Sequence, residues 1–407
     1  MPDLQPDVLL LTADRQIDRR ILLQADTFQG VGWGVCILAM PYERSGDDDA
    51  RVVRIDSEPT SVARENRVLS IYQWLRAHVP MNGALMRAMK RLTWRYLVDQ
   101  ETFHARLFHH MASRYRPRIV VANDLPMLPL AHQLAIECNA RLVFDSHELY
   151  CEQEFSSRER RNWARIEARH IGACDAVITV NRSIATELER RYGIDDVHVI
   201  LNAERAAGAV SKTDYFQRKF GLPAHAKVLL LQGGLSAGRN LEPLVEAMAL
   251  VQNRDVVLVI LGDGQLSDML KRLARVPAVA GRVYFHAAVP QRDLLSLTMA
   301  ADAGVIPYQA TCLNNYLCTP NKLFEFIAAG VPLLASDLPE IRGFVVDGQI
   351  GLVGAMDSPG EIASLMDAFF SDERRLEVWR KRVAVMRKTV CWEVEQEKLL
   401  KIYQALS

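Results

Sequence analysis

The stretch NNYLCTPNKLFEFIAAGVPLLASDLPEI, residues 314–341, places a polar loop, a helical pattern and a short apolar run in succession. Pro320 suits the first turn of a helix, where its missing N–H leaves no hydrogen bond unmade. The run Val331–Ser336 is apolar throughout, which is typical of a strand covered on both faces. The segment therefore predicts a helix over Asn321–Ala329 followed by a buried strand, as in a parallel α/β sheet.

The same alternation continues in both directions along the chain. Further apolar runs predict strands at Val8–Thr12, Gly34–Met40, Arg118–Ala122, Arg141–Phe144, Ala176–Val180, Val197–Leu201, Lys227–Gln232, Val256–Leu261, Arg282–His286 and Ala303–Pro307. Helical patterns lie between them at Asp14–Phe28, Arg158–Ile171, Asn240–Gln252, Gln265–Arg275, Arg292–Ala300 and Pro359–Phe370. We therefore predict the α/β class, with two Rossmann-like, doubly wound parallel-sheet domains.

Length and linker composition predict how these elements are divided. A chain of 407 residues favours two domains, and the polar segment Asn202–His225, rich in Ala and Lys, is the expected linker. We expect an N-terminal domain over residues 1–205, a C-terminal domain over 206–385, and a final helix in 386–407 that crosses back to the N-terminal domain. Since such sheets bind ligands beyond the carboxyl ends of their strands, we expect the site in a central cleft that both domains face.

Charge and cysteine usage exclude several classes of protein. The chain has 49 Lys plus Arg and 49 Asp plus Glu, a balance that argues against a nucleic-acid binder. Its seven cysteines include no CxxC pair, which favours reduced thiols in the cytoplasm. No apolar stretch reaches about 18 residues, and the N-terminal apolar run has no basic flank, so we expect neither a membrane span nor a signal peptide.

The start of the helix at Asn321 is the strongest candidate ligand site. Free N–H groups and the positive end of the helix dipole suit a pyrophosphate, and Lys322 adds a full charge. Glu325 is the only charged residue from Leu323 to Ala335, so if buried it needs partners, which two ribose hydroxyls would provide. The alternative is a surface ion pair between Lys322 and Glu325. We assign Asn321, Lys322, Leu323 and Glu325 to this candidate site.

A second candidate is the loop QGGLSAGRN, residues 232–240, which follows a predicted strand and opens a helix. Gly233 and Gly234 would let the backbone approach a phosphate closely, and Arg239 would neutralise it. A tight structural turn with a solvent-exposed arginine is the alternative. Gly262 belongs to a lone GxG after the next strand, which by itself is a weak nucleotide signal.

Polar residues also follow the strands of the N-terminal half. His147 belongs to the motif Asp145–Glu148, which comes directly after the predicted strand Arg141–Phe144, and it can hydrogen-bond a ligand. The alternatives are a loop histidine whose hydrogen bonds the protein satisfies, or Glu148 acting as a carboxylate at a helix N-terminus.

Asp14 and Arg15, together with Asn123 and Asp124, are candidate acceptor-side residues. Arg15 can bind a phosphate or pair with a neighbouring aspartate, and the sequence leaves both open.

The remaining charged clusters predict no metal site and one basic surface. No His or Cys cluster has metal-ligand spacing, and Asp47–Asp49 lies in a polar turn that suits a solvated loop. The segment Arg87–Arg118 holds eight basic and two acidic residues, with Trp94 interleaved. It suits peripheral contact with anionic lipid, and a solvated helical face is the alternative.

Taken together, these motifs resemble those of the retaining glycosyltransferases of family four, which have the GT-B fold. The resemblance covers nearly the whole chain and includes FDSHELY, DAVITVNRSIATEL, QGGLSAGRNLEPLVEAM, VILGDGQL and VYFHAAVPQRDLL. It implies that Glu325, matching the second Glu of the family's Glu–seven residues–Glu element, binds the donor ribose. Leu317 stands where the first Glu would be, so Asn314, Asn315 or Tyr316 would have to supply its polar contacts.

The resemblance implies further roles around the donor. Arg239 stands where the family has a Lys, whereas Gly234 replaces an Arg. His147 is similar to a residue at the sugar end of the donor, and Gly262 to a glycine near the donor phosphate or sugar. Backbone groups near Ala288–Pro290 would contact the base.

The predicted activity is transfer of a sugar from a UDP- or GDP-sugar to an acceptor hydroxyl, with retention, in polysaccharide or glycolipid assembly of bacterial type. His147, Arg239 and Lys322 are the predicted catalytic residues, and the nucleotide sugar is a co-substrate, with no cofactor and no metal. The expected partners are this donor and a carbohydrate or lipid-linked acceptor, not nucleic acid, in the cytoplasm or at the inner face of the membrane. The alternatives are a nucleotide-sugar 2-epimerase of the same fold and a catalytically inactive GT-B partner subunit.

Overall fold

The computed structural model describes residues 5–41, 49–55, 99–206, 208 and 211–406. Contacts divide the chain into two compact units, one made of the residues up to Ile200 and from Lys398 onward, the other of Leu201–Glu397. The division lies slightly before the expected boundary at 205–206. Residues 386–397 belong to the second unit, so only the end of the expected C-terminal segment belongs to the first.

The first unit contains a seven-stranded sheet in the order β3-β2-β1-β4-β5-β6-β7, and every pairing is parallel. Its strands are β1 (Val8–Thr12), β2 (Val35–Ala39), β3 (Val52–Arg54), β4 (Ile119–Asn123), β5 (Arg141–Ser146), β6 (Ala176–Thr179) and β7 (His198–Val199). Because β1 pairs with both β2 and β4, the winding direction reverses there, and a crevice opens at the carboxyl ends of β1 and β4.

The second unit repeats this plan with six parallel strands in the order β10-β9-β8-β11-β12-β13. They are β8 (Lys227–Gln232), β9 (Val256–Leu261), β10 (Val283–His286), β11 (Ala303–Ile306), β12 (Leu333–Ser336) and β13 (Gly351–Gly354). The reversal lies between β8 and β11. The predicted fold class, two doubly wound parallel sheets, is thereby confirmed.

Helices lie between the strands in both units. In the first they are α1 (Arg19–Gly30), α2 (Gln100–Ala112), α3 (Leu128–Cys138), α4 (Ser157–His170) and α5 (Arg182–Tyr192). Those of the second are α6 (Tyr215–Phe220), α7 (Leu241–Ala247), α8 (Ser267–Leu273), α9 (Gln291–Thr298), α10 (Leu313–Leu317), α11 (Asn321–Ala328), α12 (Pro339–Arg342), α13 (Pro359–Phe370) and α14 (Glu373–Met386). The last helix, α15 (Trp392–Leu406), begins in the second unit and ends in the first.

The strands of the second sheet are buried on both faces, as their unbroken apolar runs predict. Leu229 and Leu231 belong to one buried cluster, whereas Val228 and Leu230 belong to the other. Successive residues of a strand point to opposite faces, so each face needs its own apolar set. This explains why the strands show no alternation between apolar and polar residues.

Several boundaries differ from the expected ones for local reasons. Helix α1 begins at Arg19 rather than Asp14, because the Asp18 side chain accepts a hydrogen bond from the Arg20 backbone N–H and caps the helix. The expected linker Asn202–His225 contains helix α6, whose Phe216 is fully buried. Pro320 is the cap of α11 and precedes its first turn.

Several elements have no counterpart among the segments predicted from the sequence: strands β3 and β13 and helices α2, α3, α5, α6, α10, α12 and α14. Strand β13 begins and ends in glycine, a pattern that by sequence alone indicates a loop. A Cβ added to Gly351 would lie 1.8 Å from the Leu333 carbonyl oxygen, so glycine permits the approach of β12. Tertiary packing therefore selects a residue that local propensity disfavours in strands.

Two further expectations concern membranes and thiols. Within the part of the chain that the structure describes, no helix combines the length and apolar character needed to cross a bilayer. Residues 87–98, which hold four of the eight basic residues of segment 87–118, lie outside the described residues. All seven cysteines are free thiols.

Candidate functional site

The loops after β8 and β9 run side by side beyond the ends of the strands. The Gly233 N–H donates to the Leu261 carbonyl at 3.0 Å, and the Leu235 N–H donates to the Asp263 carbonyl at 2.9 Å. Gly262 has a φ of +152°, and a Cβ there would lie 2.0 Å from the Gly233 carbonyl oxygen. Gly262 thus has a packing role, which brings Gly233 into position. Its contact with a donor stays a prediction.

Two cations converge on this glycine loop. Lys322, the second residue of α11, is buried, and its Nζ lies 3.8 Å from the position that a Cβ of Gly233 would occupy. Arg239 is half-buried, and its Nη1 donates to the Gly234 carbonyl at 3.2 Å. Neither side chain forms an ion pair with any described residue, and burying an unpaired cation is costly. The arrangement is suited to an anionic ligand.

The aromatic ring of Tyr308 lies next to both cations. Lys322 Nζ is 4.9 Å from the centre of the ring, and the Arg239 guanidinium carbon is 5.7 Å from it. These distances suit cation–π contacts, which partly offset the desolvation of the cations. Tyr308 was not identified from the sequence. The signal available was its place two residues after the carboxyl end of β11, where ligands of such sheets bind.

Glu325 is tied to the end of β8. The Gln232 side-chain amide donates to Glu325 Oε2 at 2.5 Å, and the Thr298 hydroxyl donates to Gln232 Oε1 at 2.9 Å. Lys322 is buried and forms no ion pair with Glu325, so the alternative of a surface ion pair does not describe the structure. The carboxylate therefore has a dedicated protein partner, which the sequence did not reveal.

The two other residues assigned to the start of α11 differ in what they can offer. Asn321, the first residue, accepts a hydrogen bond from the Asn202 side chain at 3.1 Å. Leu323 is fully buried in the apolar core, and its N–H donates to the Pro320 carbonyl at 2.9 Å. Leu323 thus offers no side-chain contact to a ligand, because the apolar pattern that extends the helix also places this residue in the core.

In the first unit, His147 lies between two carboxylates. Its Nε2 is 3.3 Å from Asp145 Oδ2, its Nδ1 is 3.5 Å from Asp124 Oδ2, and its backbone N–H donates to Asp124 Oδ1 at 2.9 Å. The Nε2–Asp145 contact is close enough for an ion pair but lacks hydrogen-bond alignment. Although burial would lower the pKa of His147, Asp124 and Asp145 outweigh it and raise the pKa to about 10. The imidazole is therefore a cation at neutral pH.

Asp145 is itself held by α1. It is fully buried and accepts hydrogen bonds from Arg20 Nε and Nη2, both at 2.9 Å, and from the Gln24 amide. Burial opposes ionisation, but Arg20 and His147 outweigh it and hold the pKa of Asp145 far below its ordinary range. Arg20 and Gln24 were not identified from the sequence, because nothing local distinguishes them from other helical residues.

Asp124 is the acceptor-side candidate with the most unusual environment. Its backbone has φ 64° and ψ 162°, a region that non-glycine residues rarely adopt. Burial raises the pKa of Asp124 to about 7, with Glu148 and Asp14 adding to the shift and His147 opposing it. The structure therefore brings Asp124 and His147 together, with Asp14 close enough to affect both charges.

The remaining acceptor-side candidates are placed differently. Asn123 is buried, and its amide donates to the Leu11 carbonyl at 3.1 Å, so it ties β4 to β1. Arg15 is exposed and forms no ion pair with the described residues, while its carbonyl accepts a hydrogen bond from Arg54 at 2.6 Å. Of the two alternatives left open for Arg15, pairing with a neighbouring aspartate is therefore not formed among the described residues, and phosphate binding stays a prediction.

The described residues also bear on the metal question. Asp49 pairs with Arg51 at 2.5 Å, whereas Asp47 and Asp48 lie outside the described residues. Across the described ranges, no three His, Cys, Asp or Glu side chains cluster as metal ligands would. The absence of a metal requirement stays a prediction.

Comparisons with known proteins match both halves of the chain to glycosyltransferase families. The family described as "Glycosyl transferases group 1" matches residues 226–372, and the "Glycosyl transferase 4-like domain" matches residues 17–203. A D-inositol 3-phosphate glycosyltransferase of Thermomonospora curvata is 26% identical over 206 residues, which are 47% of this chain and 45% of that protein. The chain thus spans about half the length of the first curated relatives that it matches.

Solved structures show the same fold at low sequence identity. HepE of Anabaena in complex with UDP and glucose aligns with a TM-score of 0.70 and 14% identity, over 98% of this chain and 100% of HepE. The sucrose-phosphate synthase of Thermosynechococcus elongatus aligns with a TM-score of 0.73 and 17% identity, over 99% of each chain. With both halves matched and the fold shared, this chain belongs to the group 1 glycosyltransferases of the GT-B fold.

Proposed function

We propose that this protein transfers a sugar from a nucleotide diphosphate sugar to an acceptor hydroxyl, and that the second unit binds the donor. The observation that carries the proposal is Lys322, a buried lysine that has no carboxylate partner among the described residues. It lies at the start of α11, beside Arg239 and the glycine loop. A diphosphate would satisfy both cations and the free N–H groups of the helix.

The chemistry follows from the charge that develops during transfer. As the bond between the anomeric carbon of the donor sugar and the diphosphate oxygen breaks, negative charge grows on the departing diphosphate. Lys322, Arg239 and the first turn of α11 are positioned to stabilise that charge, and their positions are fixed before the reaction begins. The acceptor oxygen forms the new bond, and its proton passes to a phosphate oxygen of the leaving group, as the family resemblance implies for a retaining enzyme.

The first unit would supply the sugar and acceptor contacts. His147 is held as a cation between Asp124 and Asp145, so it can donate hydrogen bonds to sugar hydroxyls but cannot act as a base. Donation favours the predicted role at the sugar end of the donor. The acceptor, a carbohydrate or a lipid-linked sugar in polysaccharide or glycolipid assembly, remains part of the proposal, as does a peripheral membrane contact through residues 87–118.

UDP is the first nucleotide to test, because the solved HepE complex contains UDP and glucose. We expect UDP at about 100 times its Kd to raise the thermal midpoint by roughly 5 °C. In Lys322→Met the ligand-induced shift should nearly disappear. Lys381→Met is the matched control, because Lys381 is exposed and pairs with Glu377 at 2.9 Å within α14. A full UDP shift in Lys322→Met would contradict the diphosphate assignment, and GDP- and ADP-sugars complete the screen.

A second assay separates transfer from the two alternatives. A transferase releases the nucleotide diphosphate when an acceptor is supplied, whereas a 2-epimerase converts the free donor without one. An inactive partner subunit releases no nucleotide under either condition. The inactive partner subunit is retained as an alternative because Leu317 and Gly234 stand where the resembled family has Glu and Arg.

A further inference from the structure

Three polar side chains form a buried chain beneath the candidate donor site. Thr298 is the last residue of α9, Gln232 is the last residue of β8, and Glu325 lies in α11. Gln232 is 1% exposed and Thr298 is fully buried. A glutamine amide at the end of a central strand is costly to bury unless both of its ends are hydrogen-bonded.

The orientation of the Gln232 amide follows from its neighbours. Its nitrogen must face Glu325, because an amide oxygen 2.5 Å from carboxylate Oε2 would place two acceptors together. The amide oxygen then faces Thr298, whose hydroxyl lies 2.9 Å from it and 2.8 Å from the Leu294 carbonyl oxygen, so the single hydroxyl proton is shared between two acceptors. The Glu325 carboxylate, which can only accept, thus determines which end of the amide faces it, and the Thr298 hydroxyl supports that orientation.

We propose that Gln232 and Thr298 are positioning residues that hold the Glu325 carboxylate in the orientation needed to bind the ribose hydroxyls of the nucleotide. The inference rests on the proposed function and adds to it a determinant of selectivity for ribose over deoxyribose. Gln232 acts only through Glu325, because it is buried and its amide hydrogen-bonds the carboxylate. Gln232 is the last residue of β8, so the strand fixes the position of its backbone directly before Gly233 of the glycine loop.

The expected selectivity follows from the free-energy cost of orienting the Glu325 carboxylate. A carboxylate that can rotate in the free protein loses conformational entropy when it is ordered by the ligand, and this loss weakens binding. A carboxylate already held in position avoids that loss. Removing the Gln232 amide should therefore weaken ligands that have ribose hydroxyls more than ligands that lack them. A purely structural role would weaken both kinds of ligand alike.

The test compares UDP with 2′,3′-dideoxy-UDP by titration calorimetry. We expect the wild type to prefer UDP by about tenfold or more, which corresponds to the loss of a charged hydrogen bond. In Gln232→Leu the preference should fall to about threefold or less, while the affinity for the dideoxy ligand changes little. Thr298→Val should act in the same direction, and Thr298→Ser, which keeps the hydroxyl, should restore the preference. If Gln232→Leu does not fold, Thr298→Val tests the proposal by itself.

The outcomes separate this inference from the proposed function. If the wild type prefers UDP and both Gln232→Leu and Thr298→Val keep that preference, the positioning role is wrong and the proposed function stands. If the wild type binds both ligands equally, Glu325 does not bind the ribose and the inference falls with that assignment. If the wild type binds no nucleotide diphosphate, both the inference and the proposed function are overturned.

Discussion

The charge of His147 shows how a single residue depends on its surroundings. In the unfolded chain a histidine has a pKa near 6.5, whereas in the fold Asp124 and Asp145 raise it to about 10. The folded state therefore retains a proton that the unfolded state loses between these values. His147 should contribute its full stabilisation below about pH 6.5, and the contribution should decline as the pH rises towards 10.

The matched variant for this prediction is His147→Gln, which keeps hydrogen-bonding groups without the charge. We expect it to be less stable than the wild type at pH 6, with the difference shrinking progressively up to pH 10. Urea unfolding at several pH values measures the difference. Groups that do not contact His147 cancel, whereas Asp124 and Asp145 belong to the difference because His147 shifts their pKa values. A difference that stays constant over this range would show that the imidazolium is not what the carboxylates stabilise.

At the scale of elements, the contact between the β8 and β9 loops depends on Gly262. An added Cβ would lie 2.0 Å from the Gly233 carbonyl oxygen, and the φ of +152° disfavours any other residue. Gly262→Ala should cost roughly 1–3 kcal/mol of stability and should also weaken nucleotide binding by moving Gly233. Gly360→Ala is the control, because no atom lies within 4 Å of its added Cβ. Unchanged UDP affinity in a folded Gly262→Ala protein would show that the contact between the two loops does not determine nucleotide binding.

At the scale of the whole molecule, the end of the chain completes the core of the first unit. Tyr403 is fully buried, and its ring centre lies 4.5 Å from that of Phe28. Tyr403→Ala should lower stability by about 3–5 kcal/mol, as for other large buried aromatic residues. Hydrogen exchange should show the loss in β1 and α1 before it appears in the second unit.

Tyr403→Phe is the control for this prediction. The Tyr403 hydroxyl is buried and has no hydrogen-bond partner among the described residues, so removing it should be neutral or stabilising. A large loss in Tyr403→Phe would mean that the hydroxyl has a partner. Equal protection in the wild type and Tyr403→Ala would mean that the last helix does not stabilise the first unit.

The sequence by itself determined the fold class, because apolar runs and helical periods are local patterns that report burial on both faces of a sheet. It also indicated Lys322, Arg239 and the two glycines, since charge at a helix start and glycine after a strand have direct physical meaning. Only the tertiary structure decided that Tyr308 lies beside both cations, that Gln232 holds Glu325, and that Arg20 supports His147 through Asp145. These contacts join residues from separate elements, and the spacing of residues along a chain does not encode which side chains meet across a fold.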